Sequence, residues 1–107
     1  MPLTRDFKET VLIRVRKDRA FRRELLREGI ECLVSGDLET AKSILRDYIK
    51  ATVGYAQLAQ ATAIPEKSLL RMFGPSGNPQ ARNLLQVIAY LQKQEGLRLR
   101  VKQHKAA

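Results

Sequence analysis

The chain has 107 residues, 44% of them apolar, and a formal net charge of +9 from 20 Lys and Arg against 11 Asp and Glu. That length suits one small domain, or a compact domain with an extension, and no run approaches the roughly 18 apolar residues that span a bilayer. With Cys32 the one cysteine and His104 the one histidine, the composition excludes an intrachain disulfide and a zinc ligand set.

Thr4 is placed to cap a first helix running to about Lys17, with Phe7, Val11 and Ile13–Val15 as its apolar positions. Asp18 caps a second helix to about Val34. Its broad apolar face is Phe21, Leu25, Leu26, Ile30, Leu33 and Val34. Ser35-Gly36 ends it, because Gly enters the left-handed conformation of a helix C-terminus without a Cβ penalty. Asp37 caps a third helix to about Ala51, in which Leu38, Ala41, Ile44, Leu45, Tyr48 and Ile49 recur at three and four.

A short helix then reads from Tyr55 to about Thr62, and Ala63-Ile64 forms a turn. Pro65 suits the first position of the next helix, where its missing N–H costs nothing, and that helix runs to about Phe73. Gly74-Pro75-Ser76-Gly77 is a loop by composition. Asn78-Pro79 reads as a helix start, a cap followed by Pro. The last helix reaches about Gln94, with Leu84, Leu85, Ile88 and Leu91 facing inward and Gly96 as its stop. Leu97–Lys102 alternates apolar and basic residues, the period of a short strand; Gln103–Ala107 is a disordered tail by composition. The expected class is all-α with a short C-terminal β-strand. Residues 1–36 form a helical extension, 37–96 the principal domain and 97–107 the strand and tail.

Charge is unevenly spread. Residues 1–53 carry 12 basic and 9 acidic side chains; residues 54–107 carry 8 basic and only two acidic ones, Glu66 and Glu95. A basic half so poor in acids suits a polyanionic partner, although a merely soluble basic surface has the same composition. Met1–Asp6 lacks the apolar stretch of a signal peptide, so a cytoplasmic location is expected. Glu24, Glu28 and Glu31, spaced at three and four with Arg23 and Arg27, read as a salt-bridged surface. Cys32 reads as a small buried hydrophobe and His104 as a solvated tail residue. No catalytic set and no Gly-rich phosphate loop is present, so no enzyme activity, metal or cofactor is expected.

Tyr55–Phe73 has the pattern of a helix-turn-helix. Two short helices crossing steeply need a small residue where they nearly touch and apolar residues where they share a core. Ala59 is the small contact, Ala63 the tight turn, and Leu58, Ile64, Leu69 and Met72 the inward positions. On these residues Thr40–Leu91 resembles the lambda-repressor-like, Cro-type helix-turn-helix domain. Leu45 to Val101 is similar, more narrowly, to the HigA-like addiction-module antitoxins. The matching stretches are Tyr55-Ala56-Gln57-Leu58-Ala59, Ile64-Pro65-Glu66-Lys67-Ser68-Leu69, Gly77-Asn78-Pro79 and Leu97-Arg98-Leu99. Residues 1–39 lie outside the general domain resemblance. The family usually has Gly where this chain has Ala63, which asks Ala to enter a left-handed turn at a cost of about 1 kcal/mol.

The resemblance implies a transcriptional repressor whose second helix lies in the major groove, its N-terminal residues at base edges. Carried onto this chain, those positions are Pro65, Glu66, Lys67, Ser68 and Arg71. Arg71 and Lys67 match guanine O6 and N7, and Glu66 matches cytosine N4 or simply the helix dipole. Gln57, Ser76, Asn78 and Arg82 flank them as phosphate contacts. The implied partners are a palindromic double-stranded DNA operator, a second copy of the chain in a homodimer, and a small basic toxin protein. A stand-alone repressor, or an interaction module without DNA binding, are the alternatives left open.

Overall fold

The computed structural model describes residues 5–106, with side chains from Glu9 onward. The cap expected at Thr4 and the side chain of Phe7 lie outside the described residues. Six helices follow one another among the described residues: α1 Arg5–Lys17, α2 Arg19–Ser35, α3 Leu38–Ala51, α4 Gly54–Thr62, α5 Glu66–Met72 and α6 Ala81–Glu95. The class is all-α, and no helix is long and apolar enough to cross a membrane.

The helix starts follow from local chemistry where an acid stands before the first turn. Asp18 Oδ1 accepts from the Phe21 amide at 3.0 Å, and Asp37 Oδ1 from the Thr40 amide at 3.2 Å. Each such cap is worth about 1 kcal/mol. At the end of α2, Gly36 takes φ +91° and lets the Asp37 amide reach back to the Cys32 carbonyl.

The core joins both halves of the chain. Val15 of α1 and Leu26 of α2 are fully buried in one cluster with Leu45, Tyr48 and Ile49 of α3, Leu58 of α4, Leu69 of α5, and Val87 and Leu91 of α6. Removing a side chain such as Leu45 from this packing costs about 2–5 kcal/mol. Gly29 is buried where α2 crosses α3; a Cβ there would sit 3.1 Å from both Ile44 and Leu45.

Three expectations are corrected. Leu85 is 63% exposed, whereas Val87 takes the inward place beside Leu84, Ile88 and Leu91. Leu85 stands about 100° round the helix from Leu84, outside the buried stripe. Second, Asn78-Pro79 does not begin α6. The chain is non-helical through Gln80, which is itself extended and whose carbonyl accepts the first helical bond from Leu84. Third, residues 97–102 form no strand. A strand needs a ladder partner, and no second strand exists among the described residues. Instead, the Leu97 amide closes the end of α6 on the Gln92 carbonyl at 2.9 Å, and the Leu99 amide donates to Gln92 Oε1 at 2.8 Å. Leu97 and Leu99 are half-buried and Val101 is exposed.

Candidate nucleic-acid interface

The site is built on α4, α5 and the connection Ala63–Pro65. Ala63 lies in the left-handed region at φ +59°, ψ +22°, and its amide caps α4 on the Ala59 carbonyl at 2.9 Å. Among the described residues it has the one positive φ outside glycine. That turn places Ile64 in the core and delivers Pro65 to the head of α5. Pro65 stands just before the helix rather than in its first turn, with extended ψ, and its carbonyl accepts from the Leu69 amide at 3.0 Å.

Leu69 and Met72 anchor α5 inward. Helical spacing then turns Glu66, Lys67, Leu70 and Arg71 to solvent, with Ser68 half-buried at their margin. Leu70, at 48% exposure, is an apolar residue between two cations. Pro65, Ser76, Asn78 and Arg82 are exposed as well, the last in the first turn of α6, which opens without a side-chain cap. Gln57 is exposed on α4 and donates from Nε2 to Tyr90 Oη at 2.7 Å, which ties α4 to α6.

The electrostatics of this half are sharper than the residue count suggests. Of its two acids, Glu95 is buried and already neutralised: Arg22 Nε donates to both its oxygens at 2.8 and 3.0 Å, Tyr48 Oη donates to one, and Arg23 lies 3.8 Å away. Burial pushes the Glu95 carboxyl up, yet the bonds from Arg22 and Tyr48 and the nearby guanidinium charges outweigh it, leaving a net downward shift. Glu66 is therefore the one exposed acid of residues 54–106, against Lys67, Arg71, Arg82, Lys93, Arg98, Arg100, Lys102 and Lys105.

Several polar residues that shape the site were not singled out in the sequence. Lys42 and Arg46 on α3 reach the carbonyls of the α5–α6 connection. Arg22 also donates to the Val15 and Arg16 carbonyls, closing the end of α1. Their signal is faint, since Lys42 and Arg46 look like ordinary cations of an amphipathic helix. On α2, Arg27 pairs with Glu24 and Glu31, while Arg23 turns to α6, where Nη2 donates to the Glu95 carbonyl at 3.0 Å. Cys32 is half-buried, and burial with neighbouring acids pushes its thiol up, away from a reactive thiolate. His104 is exposed.

No family model, no curated protein and no solved structure matches the chain.

Proposed function

We propose that the chain is a sequence-specific DNA-binding transcriptional repressor in which α4, the Ala63 turn and α5 act as a helix-turn-helix. The observation that carries this reading is the face of α5. Lys67, Leu70 and Arg71 stand out to solvent on a helix held from behind by Leu69 and Met72. Two cations that can reach base acceptors and one apolar group that can meet a thymine methyl are the residue types of major-groove readout. The near-absence of exposed acid in this half adds a field that favours a polyanion.

Under the same proposal the chain works as a homodimer on a palindromic operator, because one short recognition helix buries too little surface for useful discrimination. By the residues it shares with HigA-like proteins, it acts as the antitoxin of a toxin–antitoxin module: it represses its own operon and binds a small basic toxin. A gel shift of the full chain on its own upstream DNA, beside an unrelated duplex, tests the repressor reading. A shift of the upstream DNA at lower protein concentration than the unrelated duplex is expected, and equal affinity for both duplexes refutes it. A short neighbouring gene for a basic toxin whose product co-purifies with the chain separates the antitoxin from a stand-alone repressor.

A further inference from the structure

Lys42 is nearly removed from water, at 3% exposure. Its Nζ lies 2.8 Å from the Gly77 carbonyl, 3.0 Å from that of Gly74 and 3.4 Å from that of Pro75, with Glu39 Oε2 at 3.2 Å. One helical turn on, Arg46 Nη1 donates to the Phe73 carbonyl at 3.3 Å. Carbonyls of the α5–α6 connection thus converge on two cations of α3. An ammonium is costly to bury unless its donors are all met, and here the connection is shaped to meet them.

Peptide planarity converts that inward convergence into an outward presentation. In a trans peptide the N–H points opposite to the carbonyl it is bonded to, and no cis bond occurs among the described residues. With the Pro75 and Gly77 carbonyls on Lys42, the amides of Ser76 and Asn78 face away from α3. Neither amide donates a hydrogen bond among the described residues. The side chains of Ser76 and Asn78 are exposed beside them.

We infer that Lys42, though it never touches DNA, is a positioning residue for DNA binding: it holds the turn 74–78 in the shape that offers the Ser76 and Asn78 amides to backbone phosphates. This role rests on the DNA-binding reading above. Phosphate contacts fix affinity and register but carry no base information, so the role predicts a specific signature. It is tested by salt titrations of the full chain on its upstream duplex and on a scrambled duplex, with Lys42→Met beside wild type. The expected result is a roughly tenfold loss on both duplexes, an unchanged ratio between them, and a log–log salt slope shallower by about 1–2. A lysine that served stability alone would lower the melting temperature and leave the slope as it was. Circular dichroism at the titration temperature checks folding; should Lys42→Met not fold, Lys42→Gln, which keeps one donor group, takes its place. A folded variant with wild-type affinity and slope overturns the role of Lys42 while sparing the repressor. Wild type with no salt-dependent binding to either duplex overturns the repressor reading, and the role of Lys42 falls with it.

Discussion

Arg22 Nε and the Glu95 carboxylate meet at 2.8 and 3.0 Å across 73 positions of sequence, fastening α2 to the last turn of α6. Tyr48 of α3 donates to the same carboxylate, so three helices share one buried acid. The N-terminal helices are therefore joined to the C-terminal half by a charged bond as well as by the common core.

This bond makes stability depend on pH. The Glu95 carboxyl is held below its ordinary range in the folded chain, so its contribution is present above about pH 5 and is lost as pH falls below about pH 4, through the depressed folded value. On the alkaline side, burial raises the Tyr48 phenol, its hydrogen bond to Glu95 adding to the shift, and burial pushes Tyr55 up to about 12. Their contribution is complete below about pH 10 and is lost as pH rises further. Glu95→Gln should cost about 2–4 kcal/mol, because it leaves Arg22 without its anion in a partly buried site. Urea melts over a series of pH values from about 7 downward check this: the variant should lose most at about pH 7, and its difference from wild type should shrink as the pH falls.

The turn residue offers a gain. Ala63 is held at φ +59°, a conformation that costs a non-glycine residue about 1 kcal/mol or more. Ala63→Gly relieves that cost, partly offset by a looser unfolded chain. The variant should be more stable by about 0.5 kcal/mol in a thermal melt, with α4 and α5 in the same geometry and duplex binding unchanged. A lower melting temperature would show that the turn is not strained.

Gly77 offers the reverse. A Cβ there would lie 2.0 Å from the Arg71 carbonyl oxygen and 2.6 Å from that of Met72. Both neighbours are backbone, so the connection must move. Gly77→Ala should destabilise by about 1–3 kcal/mol and weaken duplex binding beyond what the lost stability explains, because Ser76 and Asn78 move with it. Titration well below the melting temperature separates the two effects.

What the sequence made legible was whatever local chemistry alone decides. Asp18, Asp37, Gly36 and Gly96 mark helix ends through bonds to neighbours within a few residues, and the spacing of Leu58, Ile64, Leu69 and Met72 marks the inward side of α4 and α5. Asn78-Pro79 failed as a helix start because its conformation is set from a distance. Gly77 lies close against the carbonyls of α5 and is held by Lys42 of α3, so the chain is still non-helical at Asn78-Pro79 and enters α6 only after Gln80. The alternation at Leu97–Lys102 was genuine, but a strand exists only with a partner, and Gln92 took the Leu99 amide instead. The burial of Lys42 and Glu95 is not legible in the sequence, for one reason. Nothing in a single helix tells a buried charge from a solvated one until the opposing carbonyls or guanidinium groups come into place.

Arg71 should report on base recognition. It is exposed one turn beyond Lys67 on the free face of α5. Arg71→Ala should cost roughly 1–3 kcal/mol on the cognate site and relax discrimination at one base pair, with the fold unchanged. A panel of single-base operator variants reads this out, and wild-type discrimination at every position would show that α5 is not the reading helix.

The claim that this chain binds DNA through the basic face of α5 and its flanks is tested most directly by the salt dependence of its affinity for its own upstream duplex. With Lys67, Arg71, Arg82 and neighbouring donors on phosphates and bases, about 4–8 phosphate contacts give a log–log slope of roughly −4 to −7. A slope near zero, or no binding at low salt, would contradict the account.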